Sequence, residues 1–203
     1  FLTDINIFDA DSLQLIGTFN ANSNRTRGIM YNPADNRIYV QSNPSGQGGV
    51  TLIFDCATKD LVGTIAAETT WIRYRGIATP EYTFIPYGNT GTGGANAYGF
   101  YKISTSTGVV TKIQHGCGWA TSCAWDSKRN RLWLPIQDYT YNYLLIFDLN
   151  TNTIAYTSTN EGRGEPPYYA FTAVVNPYDE INDVVYMIEE YSGTLYKLNA
   201  ATG

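Results

Sequence analysis

Leu52-Ile53-Phe54-Asp55-Cys56-Ala57-Thr58-Lys59-Asp60-Leu61-Val62-Gly63-Thr64-Ile65 is a short apolar run, a polar turn and a second apolar run closed by Gly-Thr-Ile. Short runs rich in β-branched and aromatic residues, bounded by Asp, Lys and Thr, read as paired strands. The phrase returns at Ile5-Asn6-Ile7-Phe8-Asp9 with Leu15-Ile16-Gly17-Thr18-Phe19, at Gly99-Phe100-Tyr101-Lys102-Ile103 with Gly108-Val109-Val110-Thr111-Lys112-Ile113, and at Leu144-Leu145-Ile146-Phe147-Asp148 with Ile154-Ala155-Tyr156-Thr157. A fifth copy, Thr194-Leu195-Tyr196-Lys197-Leu198-Asn199, stops at its turn. Aligned on Phe8, Phe54, Tyr101, Phe147 and Tyr196, the copies lie 46, 47, 46 and 49 residues apart. Propeller blades repeat at about 40–50 residues.

Each period also holds an earlier strand pair. The first is Arg27-Gly28-Ile29-Met30-Tyr31-Asn32-Pro33 followed by Asn36-Arg37-Ile38-Tyr39-Val40. Arg75-Gly76-Ile77-Ala78-Thr79-Pro80 with Tyr82–Pro86, Ser122–Asp126 with Asn130–Pro135, and Thr172–Pro177 with Asp183–Ile188 are its counterparts. Four strands per period, labelled A to D, without an amphipathic helical stretch, predict an all-β propeller of four-stranded blades with A innermost. The whole chain, 1–203, reads as a single propeller. Residues 1–19 carry strands C and D of a first blade, blades follow at about 27–65, 75–113 and 121–157, and a partial last blade occupies 172–203. Longer B–C connections at 41–49, 88–97 and 137–142, the first two rich in glycine, are the expected contact surface.

These motifs resemble the YVTN/NHL/YWTD group of propeller repeats: Gly-Ile-x-x-x-Pro, then Asn-Arg-Ile-Tyr-Val, then Leu-Ile-Phe-Asp-x-x-Thr and Val-Gly-Thr-Ile. The closing Gly193–Gly203 is similar to the repeat of quinoprotein propellers. The resemblance implies a blade fold over nearly the whole chain. Such repeats encode packing and turns, so they specify a job poorly.

The strand count leaves the ring incomplete, because both ends carry a strand C. Three readings stand side by side. The chain continues beyond these residues, a neighbouring subunit completes the blades through edge strands, or the blades close into a compact five-bladed ring. An open edge strand is a template for another chain, which gives the second reading a physical motive.

The composition is 43% hydrophobic and 14% aromatic, enough for a packed core. With 13 Lys+Arg against 18 Asp+Glu the net charge is -5 and no basic run exists, so no nucleic-acid partner is expected. No apolar run nears the roughly 20 residues of a membrane span, so no membrane insertion is expected, and Phe1-Leu2-Thr3-Asp4 carries no signal-peptide pattern. Few lysines beside many Thr, Asn and Tyr lean towards an extracellular or cell-surface protein.

Three cysteines cannot all pair within one chain; Cys117 and Cys123 are close enough for a small disulfide loop, with unpaired loop or core residues as the equal alternative. His115 with those two cysteines falls short of a zinc set. Asp148-x-Asn150-x-Asn152 has the oxygen spacing that opens a calcium loop, but Thr153 and Thr159 stand where Gly and Glu belong, and turn chemistry explains it better. Asn24-Arg25-Thr26 is a glycan acceptor triplet if the protein is secreted. Arg27 and Arg75 each precede an inner strand and are candidate channel-lining residues, though Thr121 and Phe171 break the pattern. No Gly-x-Ser-x-Gly elbow or other catalytic set stands out, and no cofactor or metal is expected.

The sequence therefore points to a non-enzymatic extracellular propeller, a structural or adhesive module that self-assembles into a surface layer or filament through strand completion. A peptide- or glycan-binding propeller is the alternative, as is an enzyme domain related to lyases, lactonases or quinoproteins.

Overall fold

A computed structural model describes residues 4–20, 26–42, 49–66, 76–88, 98–116, 118–120, 122–137, 142–157, 171–189 and 195–202. Their regular structure is β-strand throughout, in five antiparallel sheets. The first sheet pairs β1 (Asp4–Phe8) with β2 (Leu15–Asn20). The second runs β3 (Thr26–Asn32), β4 (Arg37–Ser42), β5 (Val50–Asp55), β6 (Leu61–Ala66), neighbour to neighbour in sequence order. The third repeats this with β7 (Ile77–Ala78), β8 (Tyr82–Tyr87), β9 (Gly99–Ser104) and β10 (Val110–Gln114). In the fourth the innermost strand is split into β11 (Trp119–Ala120) and β12 (Ala124–Asp126), both on β13 (Arg131–Gln137), followed by β14 (Asn142–Asp148) and β15 (Thr153–Thr157). The fifth has β16 (Phe171–Asp179), β17 (Val184–Glu189) and β18 (Leu195–Asn199). Sheets of four antiparallel strands in sequence order, repeated side by side, are propeller blades.

The core lies between blades, in four clusters, one per interface. Phe19 with Val40 and Phe54 joins the first blade to the second. Tyr39 and Ile53 meet Ile85, Tyr87, Tyr101 and Ile103 across the next. Phe84 and Phe100 meet Leu132, Leu134, Leu145 and Phe147. Ala124, Trp133 and Ile146 meet Tyr178, Val185 and Met187. Alternation along each strand produces this division, because successive side chains leave a strand on opposite faces. On β13, Leu132, Leu134 and Ile136 face the preceding blade while Trp133 faces the following one. Each blade thus has a leading face towards its predecessor and a trailing face towards its successor.

The turns are built to one plan. At the end of each third strand a side-chain oxygen accepts backbone N–H groups two or three residues ahead: Asp9 from Ser12, Asp55 from Ala57 and Thr58, Ser104 from Thr107, Asp148 from Asn150 and Thr151, Asn199 from Ala201 and Thr202. Four residues on from the first four of these acceptors, the chain enters the left-handed region, at Leu13, Lys59, Gly108 and Asn152. A–B turns follow the same rule, with acceptors Asn32, Asp126 and Asp179 and left-handed residues Asn36, Asn130 and Asp183. The two turns of a blade are then tied together: Cys56 N donates to Asn36 O, Thr105 N to Glu81 O, Leu149 N to Asn130 O and Ala200 N to Asp183 O, at 2.9–3.0 Å.

These turns correct the alignment of two copies. The residue before the turn acceptor is Phe8, Phe54, Ile103, Phe147 and Leu198, so Ile103 and Leu198, rather than Tyr101 and Tyr196, are equivalent to Phe54. A two-residue slip keeps a side chain on the same face, which is why the aromatic alignment held together. The compact five-bladed ring is also corrected. Among the described residues the arc is not closed, and Phe8 on the leading face of the first blade lies 56% exposed.

Candidate functional site

Two of the interfaces carry a polar lock at the A–B turn end, assembled from residues about one repeat apart. Between the second and third blades, buried Asn32 donates through Nδ2 to Thr83 Oγ1 at 2.8 Å and accepts Ala34 N at 2.9 Å. Thr83 also hydrogen-bonds Tyr39, whose hydroxyl donates to Asp35. Burial, then the Asp35 bond, pushes the Tyr39 phenol up to about 12, so it stays a neutral donor. Between the fourth and fifth blades, Arg129 Nη1 donates to Asp126 Oδ2 at 3.0 Å and to Asp183 Oδ1 at 2.8 Å, with Nη2 on Asp183 Oδ2. Tyr178 donates to Asp183 Oδ1 at 3.1 Å and lies within bonding reach of Asp126. The Arg129 bond holds the Asp183 carboxyl down to about 2, and burial pushes Tyr178 up to about 12. A guanidinium forked onto one carboxylate while touching another is a charge-assisted clamp. Sequence reading missed both locks, although the separations of Asn32 from Thr83 and of Arg129 from Asp183, 51 and 54 residues, were a usable signal.

Of the residues singled out in the sequence, Asn24, Arg75 and Cys117 lie outside the described residues, as do most of the B–C connections. Arg27 stands in β3 at a bulge, where the register slips between Thr26 and Gly28. Cys123 is buried towards the third blade, and burial raises its thiol pKa. His115 is also buried, its backbone N–H on Tyr98 O at 3.2 Å and its ring 6.5 Å from that of Phe100. Asp148 accepts Asn150 and Thr151 N–H groups, so the apparent calcium spacing is turn chemistry. Among the described residues no group of three or more His, Cys, Asp or Glu is placed to hold a metal ion, and no helix is long and apolar enough to cross a membrane.

The end faces differ from the interior ones. Phe8 is 56% exposed, whereas Phe54, Ile103 and Phe147 at the same blade position are each 2% exposed. Asn6, two residues earlier, pairs with Thr18, whose hydroxyl donates to Asn6 Oδ1 at 3.1 Å; Leu52, Tyr101 and Leu145 occupy that place elsewhere. On the trailing face of the last blade Tyr186 stands across from Lys197, where the other blades pair Tyr39 with Ile53, Phe84 with Lys102 and Trp133 with Ile146. The outermost fourth strands expose Leu61, Val62 and Val110 as a matter of course, so the exposure of Leu15 and Ile16 on β2 is ordinary.

No family model and no curated protein matches the chain, so the likeness to YVTN/NHL/YWTD repeats goes no further than the blade. Solved structures do match. Hydrazine synthase from Kuenenia stuttgartiensis superposes with a TM-score of 0.74 at 12% identity, over 98% of this chain and 66% of that one. The Dos1 propeller gives 0.64 at 13% identity, over 96% and 46%, and the β-propeller domain of Cps50 (Swd1) from Myceliophteria thermophila gives 0.62 at 9%, over 92% and 55%. The chain spans between about half and two thirds of the length of these structures. At such identity the likeness carries the fold alone, and that fold is the β-propeller.

Proposed function

We propose that this chain is a non-enzymatic structural or adhesive propeller module of the cell exterior, which joins a neighbouring copy head to tail through the faces at the two ends of its arc. The observation that carries the reading is Phe8, exposed at a position where three equivalents are buried against a preceding blade. The two end faces suit each other: Tyr186 supplies an aromatic ring for Phe8, and Lys197, at the place Lys102 holds in the third blade, is a polar partner for Asn6, which stands where Leu52, Tyr101 and Leu145 stand in the other blades. A leading face on a trailing face is a heterologous contact, which builds rings or filaments rather than two-fold dimers. The polar uncharged, Lys-poor composition supports the exterior placement.

Sedimentation velocity over a wide concentration range tests it. Association that grows with concentration and disappears in Phe8→Asp is the expected result. A species that stays monomeric at every concentration overturns the assembly reading.

A further inference from the structure

The seam between the second and third blades is polar at both ends. At the A–B turn end the bond from Asn32 to Thr83 closes it. Towards the B–C connection, Gln41 on β4 stands directly across from Thr51 on β5. Each lies two residues from a side chain of that seam, Tyr39 or Ile53, and Thr51 is also paired with Ile65, so both face the third blade. They are 2% and 0% exposed, and neither Gln41 Oε1 nor Thr51 Oγ1 has a hydrogen-bond partner within the protein.

The other blades place apolar residues here. Four residues before the C–D turn acceptor stand Ile5, Phe100, Leu144 and Leu195 in place of Thr51. Across from the last three, Pro86, Pro135 and Ile188 hold the place of Gln41. Thr51 is also the smallest side chain of its set. The volume that the Phe100 ring takes up in the next seam, 5.0 Å from Phe147, is therefore not filled from β5. Tyr87 packs into the seam from the third blade, its hydroxyl donating within its own blade to Ile113 O at 3.4 Å. Beside Gln41 the backbone ladder is interrupted as well, because β3 bulges between Thr26 and Gly28, the partners of Ser42 and Gln41. A bulge leaves its extra residue, here Arg27, outside the ladder.

A buried amide and hydroxyl are costly unless hydrogen-bonded, and in protein interiors the usual remedy is an ordered water. We propose that this seam holds a water molecule bridging Gln41 and Thr51, a hydration site built into the second blade at the root of its B–C connection. Neither group is charged, so the occupant is neutral, and side chains buried this fully leave no mouth for a larger ligand. Water suits both: it donates to Gln41 Oε1, and it donates to or accepts from the Thr51 hydroxyl. The bridge fastens β4 to β5 one pair inside Ser42 and Val50, where the strands part, and so steadies the base of the connection. The site does not rest on the head-to-tail reading, since neither residue lies on an end face of the arc.

Two measurements test it. A high-resolution crystal structure is expected to show a water within hydrogen-bonding distance of both side chains; any other partner at that place, or none, overturns the proposal. A double-mutant cycle with apolar replacements of similar shape reads the same bridge in solution. Gln41→Met and Thr51→Val each remove one anchor and leave the other group buried beside an under-bonded water. Each is expected to lower the folding equilibrium constant roughly tenfold in urea titration. The double variant restores the apolar pair of the other blades and is expected to lose no more than either single variant, a coupling that independent sites do not show. Additive effects of either sign, or single variants as stable as the native chain, overturn the bridge, because the two groups are then buried independently.

Discussion

Alanine at Phe147 and at Phe8 probes the same repeat position in two environments, one between blades and one on an end face. Phe147 is 2% exposed, its ring centroid 5.0 Å from that of Phe100 in an edge-on pair, within a cluster that includes Leu132, Leu134 and Leu145. Truncating a ring held this way costs about 3–5 kcal/mol, transfer and cavity terms together. Phe8 is 56% exposed, so under half of a full burial worth about 1.5–3 kcal/mol is lost, or about 1 kcal/mol. For a chain of this size about 1 kcal/mol moves Tm by roughly 2–4 °C, which puts Phe147→Ala roughly 6–20 °C down and Phe8→Ala within about 4 °C. Urea titration of dilute protein followed by tryptophan fluorescence, with thermal melts alongside, measures both. Equal losses at the two sites would refute the blade equivalence and, with it, the argument that Phe8 is an uncovered interface residue.

Three further outcomes follow from the turns and locks. Asn32→Ala removes the bond to Thr83 and the cap on Ala34 N–H at a fully buried site, and is expected to lower the unfolding free energy by about 2–3 kcal/mol in urea titration. Asp183, held down to about 2 chiefly by its bond from Arg129, has a folded pKa below the unfolded value near 3.9, so its contribution is complete above about pH 4 and is lost as pH falls through about 2. Stability followed from pH 5 to pH 2 is therefore expected to fall more steeply in the native chain than in Asp183→Asn; parallel curves would remove the clamp from the account. Leu13 is exposed with φ 56°, a conformation that costs an L-residue about 1–2 kcal/mol, so Leu13→Gly is expected to stabilise by about 0.5–1 kcal/mol net of glycine's entropy, and Leu13→Val to destabilise, both read as urea midpoints.

The blade was legible because its two signals are local. Alternation of Leu52-Ile53-Phe54 and the acceptor at Asp55 each act within a few residues, and both recur in every copy. Register was less legible, since Tyr101 and Ile103 share a face and either satisfies the pattern; the turn acceptor followed four residues later by a left-handed residue, Leu13, Lys59, Gly108 or Asn152, was the firmer ruler. The locks were not legible because Asn32 and Thr83, or Arg129 and Asp183, meet only when two blades stand side by side. Each looks like an ordinary turn or strand residue in its own copy.

The faces also constrain how the arc can meet anything else. Every interior contact joins a trailing Tyr, Phe or Trp to a leading pair such as Tyr101 and Ile103 or Leu145 and Phe147, so like faces never meet. A leading face meeting a leading face would set Phe8 against Phe8 and Asn6 against Asn6. Trailing against trailing would bring Lys197 towards Lys197. Like charges in direct opposition are unfavourable, and polar groups buried without partners cost about 1–3 kcal/mol each. The same alternation that builds the core thus gives the arc a direction, and any partner that docks at its leading side has to look, chemically, like the trailing side of a blade.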